Sequence, residues 1–227
     1  MAERAFIAAT VFFILASVFV FSWIPNKVEP RASAAGAGAA AADDVGPALQ
    51  RAMELLSNDS TDEALAELQA AAARAPQNAQ VRYYMGAAYE AKGQFEEAQR
   101  EYELAARYDP TSATALGKVG EMRAQLGDHD GAIAIYRKAL AIDPQSAALR
   151  NLLGAALTAT GAYEQAIVEL EAALRMEQEN ASFMVNLGGA LQGKGDLRAA
   201  LEWFTKACEA GDQTGCSKQQ EVSALIR

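Results

Sequence analysis

The chain has 227 residues, 51% hydrophobic and 22% charged, a balance that excludes collagen-like and wholly disordered readings. Its 29 acidic residues outnumber 20 basic ones for a net charge of −9, which argues against a nucleic-acid surface, since such a surface needs a basic stripe. One histidine and two cysteines leave too few ligands for an ordinary zinc site and too few partners for Ser–His–Asp or Cys–His catalysis unless everything converges on His129.

Residues 1–4 form a short flank, and residues 5–24 are a run of mostly apolar residues without a charge. A helix of that length spans about 30 Å, the thickness of a hydrocarbon core. Phe21 and Trp23 stand at one end, where amphipathic aromatics favour the membrane interface, and Pro25 ends the run. The segment is therefore predicted as one transmembrane helix retained as a signal anchor. Ala32-Ser33-Ala34 has the small-residue form of a cleavage site, so removal as a signal peptide and secretion is the alternative. Residues 25–44 are rich in alanine and glycine; their side chains bury too little area to offset the entropy of ordering, which predicts a flexible tether.

From residue 45 onward the sequence repeats itself every 34 residues. Ala64, Ala98, Ala132, Ala166 and Ala200 share one phase, and Ala71, Ala105, Ala139, Ala173 and Ala207 another. Gly86, Gly120, Gly154 and Gly188 form a third series, with Ala52 in the first copy. Gly93, Gly127, Gly161 and Gly195 form a fourth, with Asp59 in the first copy. Leu68, Tyr102, Tyr136, Leu170 and Phe204 form a bulky fifth series, and Pro76, Pro110 and Pro144 close the first three copies. Five units follow without insertion: 45–78, 79–112, 113–146, 147–180 and 181–214. Apolar residues at helical spacing on either side of each turn glycine predict two helices per unit. A single pair cannot bury its apolar faces alone, so the units must stack.

The segment Met85-Gly86-Ala87-Ala88-Tyr89 with Ala98, Tyr102 and Pro110 resembles the tetratricopeptide repeat family. That resemblance implies an all-α, right-handed solenoid of five helix-turn-helix units, with residues 215–227 as a C-terminal capping helix. The family's first-helix tryptophan is replaced by Ala48, Arg82, Leu116, Arg150 and Met184, and its closing proline by Gln178 and Asp212 in the last two units. Arg51 and Arg123 occupy positions that are usually apolar.

Little else in the chain suggests chemistry. His129 lies in the turn Gly127-Asp128-His129-Asp130, whose composition is explained by Asp128 capping a helix. Gly193-Lys194-Gly195 lacks the spacing of a phosphate loop, and no carboxylate pair has the setting of a general acid. No catalytic residue, metal site or cofactor is expected, and neither a nucleic acid nor a small-molecule substrate.

Cys208 is expected to end the last second helix and Cys216 to open a short extra helix after a turn at residues 211–215. Positions so placed face each other across a hairpin, and a disulfide is sterically plausible. The stretch from Lys206 to Cys216 also resembles the bonded hairpin of cysteine-rich bacterial relatives of this superfamily, which implies a Cys208–Cys216 staple with Val222, Leu225 and Ile226 covering apolar surface. Two unrelated thiols remain the alternative. Disulfides persist outside the cytosol, which favours the periplasmic side of a bacterial inner membrane. Arg4 on one side of the apolar run and Lys27 and Arg31 on the other do not set an orientation, so a cytoplasm-facing array stays open.

By the family pattern, the second, fifth, ninth and twelfth residues of each unit line a concave face. Gln80, Tyr83 and Glu90, then Glu121, Asn151, Asn186 and Gln192 are the candidates to read a helix or an extended peptide there. The function expected is a membrane-tethered scaffold or assembly factor for a protein partner, such as a subunit of an envelope complex. The alternative is a fixed accessory subunit of such a complex, held partly by residues 5–24. An enzyme is not expected.

Overall fold

The computed structural model describes residues 44–226. The predicted span at 5–24 and the tether, apart from Asp44, lie outside the described residues. Among the described residues no helix is long and apolar enough to cross a membrane.

Eleven α-helices follow one another in these residues. The first helices of the five units are α1 (Gly46–Ser57), α3 (Ala79–Ala91), α5 (Ala113–Gln125), α7 (Ala147–Ala159) and α9 (Ala181–Lys194). The second helices are α2 (Thr61–Arg74), α4 (Phe95–Tyr108), α6 (His129–Ile142), α8 (Tyr163–Met176) and α10 (Leu197–Glu209), and α11 (Gln213–Ile226) ends the array. Each first helix packs on the second helix of its own unit, and each second helix on the next first helix, giving a helical repeat solenoid.

Two local devices set the helix ends. Between the helices of a unit, Gly93, Gly127, Gly161 and Gly195 take φ of +71° to +94°, and Asp59 takes +59° in the first unit. A residue with a Cβ is strained there, so glycine reverses the chain cheaply. Between units, Asn78, Ser112, Ser146 and Asn180 cap α3, α5, α7 and α9: each side-chain oxygen accepts from the backbone N–H three residues on, at 3.0–3.3 Å. Such caps satisfy a donor that the helix itself leaves free, typically for about 1 kcal/mol.

The glycine and bulky series meet each other. A Cβ added at Gly86 would stand 2.7 Å from the Tyr102 ring, at Gly120 2.4 Å from Tyr136, at Gly154 2.4 Å from Leu170 and at Gly188 2.6 Å from Phe204. These four large side chains are sealed, none more than 1% exposed. Full burial of a side chain of this size contributes roughly 1.5–3 kcal/mol. The missing Cβ is what lets the two helices of a unit close over it.

The position where the family carries tryptophan is reworked. In unit two, Arg82 Nη1 donates to Glu101 at 3.1 Å while Nε and Nη2 donate to the carbonyl of Pro76. In unit four, Arg150 repeats the arrangement with Glu169 at 2.8 Å and the carbonyl of Pro144 at 3.0 Å. Each arginine ties its own second helix to the turn that ends the preceding unit. The same two positions hold Leu116 and Ile135 in unit three, and Met184 and Trp203 in unit five, so polar partners and apolar partners are exchanged together. Arg51 and Arg123 are likewise paired, with Glu67 and Glu103.

At the C-terminus the structure corrects the sequence reading. The last helix begins at Gln213, not beyond residue 214, and with 14 residues it is as long as the others rather than short. The cause is Gly211-Asp212, which repeats the turn chemistry used inside units: Gly211 has φ +90°, and Asp212 accepts from Gly215 N–H at 2.7 Å. Gly215 therefore lies within α11, and a Cβ there would stand 2.7 Å from that of Ala207, so α10 and α11 close like the two helices of one unit. Val222 is fully buried, whereas Leu225 at 62% and Ile226 at 37% exposed do not cover the core as expected.

Candidate protein-interaction face

The candidate residues sit on the first helices, and in α3 they leave Val81, Met85 and Ala88 to the core. Gln80, Thr114, Ala148 and Ser182 are exposed, and Tyr83, Ala87, Glu90, Glu121, Ala155, Gly189 and Gln192 are partly exposed. The floor is made of small residues, and a Cβ at Gly189 would meet nothing within 4 Å. Lysine and arginine are missing from the second, fifth, ninth and twelfth positions of all five units.

Four of the candidates fall into two groups. Glu90 and Glu121 are joined by a residue that pattern reading passed over: Lys118 Nζ donates to Glu90 Oε1 at 3.2 Å and to Glu121 Oε2 at 3.0 Å. Burial draws the Lys118 pKa down, but its hydrogen bonds and attraction to Glu121 and Glu90 more than offset that, and it rises. From below, the buried Tyr102 hydroxyl donates to Glu90 Oε2 at 2.6 Å. Tyr83 packs against the Tyr102 ring with centroids 5.3 Å apart. Burial holds the Tyr83 hydroxyl above its ordinary pKa; Lys118 opposes this, and Glu121 and Glu90 add to it. The second group is Asn151 and Asn186, whose Nδ2 donates to Asn151 Oδ1 at 2.8 Å. Asn151 is only 8% exposed, so it sits deeper than a peptide reader would and serves first to join α7 to α9. Gln192 reaches Glu221 of α11 at 3.4 Å, and Gln80 stands without a partner of this kind in either group.

The first helices are not evenly spaced. Neighbours α1 and α3, α5 and α7, α7 and α9, and α9 and α11 pack on one another, while the backbones of α3 and α5 scarcely meet. Across that seam runs the Glu90–Lys118 pair, and beside it opens a cleft walled by Tyr83 and Tyr84, whose rings stand edge to face at 5.6 Å.

At the far end, Cys208 and Cys216 lie with Cα atoms 4.4 Å apart and their sulfurs bonded, joining α10 to α11. His129 opens α6, and Asp128 caps that helix by accepting from Gly131 N–H at 2.9 Å. Among the described residues no three acidic, histidine or cysteine side chains gather as metal ligands would.

Three tetratricopeptide repeat family models match this chain, one over residues 49–98 and 85–147, another over 123–181 and a third over 181–210. The chain belongs to the tetratricopeptide repeat family. Solved TPR structures share the fold. YrrB superposes with a TM-score of 0.66 at 21% identity, over 78% of this chain and 93% of its own. MamA from Desulfovibrio magneticus RS-1 superposes with 0.68 at 23%, over 74% and 94%. PilF of Pseudomonas aeruginosa superposes with 0.67 at 17%, over 83% and 90%. At such identities the likeness speaks for the TPR fold alone. No protein of curated function matches the sequence.

Proposed function

We propose that this TPR protein is a protein-interaction scaffold or assembly factor, held at a bacterial inner membrane by residues 5–24 with the solenoid on the periplasmic side. The observation that carries the reading is the first-helix face: a floor of small residues, open above Gly189, bordered by Tyr83, Glu90, Glu121 and Asn186. Such a floor admits the main chain of a docked segment, while the bordering side chains read it. YrrB, similar in fold, is described as a TPR protein with an unusual peptide-binding site. The partner is a protein or peptide, taken here as a subunit of an envelope complex, and the role is binding without catalysis or a cofactor. The Cys208–Cys216 bond supports the periplasmic placement, because such bonds endure in oxidising compartments.

The test is affinity purification of the full chain in a mild detergent, with identification of the chains that come with it. Gly189→Leu combined with Ala155→Leu fills the floor at open or half-open positions, and it is expected to release the partner while the helical signal is kept. A partner retained at fixed stoichiometry by this variant would favour the accessory-subunit alternative. Carbonate washing is expected to leave the protein in the membrane fraction with its N-terminus at or next to Met1; a mature start at Ala35 would replace the anchor with a cleaved signal peptide.

A further inference from the structure

We propose that the cleft between α3 and α5 takes a basic side chain, lysine or arginine, of the docked segment; this rests on the interaction-face reading above. The cleft lies where the backbones of α3 and α5 scarcely meet. Gly117 of α5 stands at the unit position that is Tyr83 in α3, and a Cβ at Gly117 would meet Leu149 of α7 at 3.0 Å and no atom of α3. The seam is consequently spanned by long side chains rather than by packed backbone.

The walls of the cleft suit the hydrocarbon stem and the charged head of such a side chain. Tyr83 and Tyr84 present ring surface, with the buried Ala105 and Ala115 behind them. Aromatic faces attract ammonium and guanidinium groups, and the methylene stems of Lys and Arg pack on apolar surface. None of the residues lining the cleft is basic, and Asp109 lies among them. Asp109 Oδ1 accepts from the Thr111 N–H at 3.0 Å and from the Thr111 hydroxyl at 2.6 Å, which holds its carboxylate in place. Tyr83 joins this cleft to the Glu90–Lys118–Glu121 group, so three carboxylates stand against one ammonium around a single aromatic pair. An apolar side chain would desolvate those carboxylates without pairing them, and an acidic side chain or a terminal carboxylate would be repelled. A cation completes the charge.

The probe is a library of random decapeptides displayed on phage, selected on the full chain in non-ionic detergent. Selected sequences are expected to concentrate Lys or Arg at one position, and synthetic peptides with Glu there to bind about tenfold more weakly. Asp109→Asn, and Tyr84→Leu, which keeps bulk but removes the ring face, are each expected to lower affinity about three- to tenfold. Lys118→Met acts in the opposite direction. By removing the competing ammonium it leaves Glu90 and Glu121 unneutralised, and it is expected to tighten binding of the basic peptides by a similar factor. No damaged fold would produce that gain. Weaker binding by Lys118→Met, or a selection without a basic position, would overturn the assignment. If peptides selected without a basic position bind the Gly189→Leu/Ala155→Leu variant more weakly, the interaction face stands and only its chemistry is wrong. An empty selection would overturn both.

Discussion

Arg150 Nη1 lies 2.8 Å from Glu169 Oε2 while Nη2 of the same guanidinium donates to the carbonyl of Pro144, so one side chain joins both helices of unit four to the turn before it. Both partners are about one quarter exposed, and Arg150 Nε is buried without a hydrogen-bond partner. Removing one member of such a pair strands the other, whereas replacing both with apolar residues of similar size is often neutral or better. Unit three already carries the apolar solution, Leu116 with Ile135. Arg150→Leu is expected to lower stability by about 1–3 kcal/mol, and Arg150→Leu/Glu169→Ile to restore most of it. Urea denaturation of the two variants decides; equal losses would deny the coupling.

Gly120 faces the Tyr136 ring, and unit one solves the same contact with Ala52 against Leu68. Gly120→Ala gains about 1 kcal/mol of helix propensity but forces a Cβ into space already filled, an overpacking that typically costs about 1–3 kcal/mol. A net loss is expected. Tyr136→Leu alone leaves a cavity, and the two changes together rebuild the pairing of unit one. The double variant should be more stable than the sum of the single losses allows, which a double-mutant cycle measures. Strict additivity would place the two residues out of contact.

Burial holds the Tyr102 hydroxyl well above its ordinary pKa, with its hydrogen bond to Glu90 adding to the effect; Tyr136 is raised by burial and then by Glu121. In the unfolded chain each ionises near 10. Below that pH both states keep the proton, and stability does not depend on these groups. Above it the unfolded chain releases protons that the native state retains, so stability falls by about 1.4 kcal/mol per pH unit for each tyrosine. Tyr102→Phe is expected to cost stability at pH 8 through the lost hydrogen bond, and to make the decline between pH 10 and 11.5 shallower. An unchanged slope in urea titrations across that range would count against burial as the cause.

The repeat register and the turn glycines were legible because each is a property of one position repeated from unit to unit. The capping series Asn78, Ser112, Ser146 and Asn180 was written in the same phase, yet it has no hydrophobic signature and was passed over. It also marks where the period ends: Thr214 is the next member, but the cap moves to Asp212 once Gly211 has turned the chain, so extending the 34-residue period misplaced the start of α11. Within the candidate face, spacing identified Glu90 and Glu121. It did not reveal that Lys118 joins them, because the lysine reaches from α5 across the seam to α3 and so depends on how the two helices are placed. Asn151 was read as accessible from its position, and its burial follows from its pairing with Asn186 one unit on.

The Cys208–Cys216 bond closes a short loop across the α10–α11 turn. By chain entropy a loop of this size contributes about 2–3 kcal/mol, and the Asp212 cap adds about 1 kcal/mol to the start of the same helix. Among the described residues the buried contribution of α11 is Gly215 and Val222. In a stack where each unit couples only to its neighbours, losing the bond should act locally. Reduction is expected to abolish hydrogen-exchange protection across residues 213–226, and then to loosen α10 around Phe204, while α5 to α8 exchange as before. Asp212→Ala should lower the reductant concentration needed for that opening, since it removes the cap that holds α11 in place once the bond is cut. Simultaneous loss of protection throughout the array would show that the units unfold as one body, and thiol-blocking mass spectrometry on protein taken directly from cells would show whether the bond forms there: two freely alkylated cysteines would remove both the staple and the main support for a periplasmic solenoid.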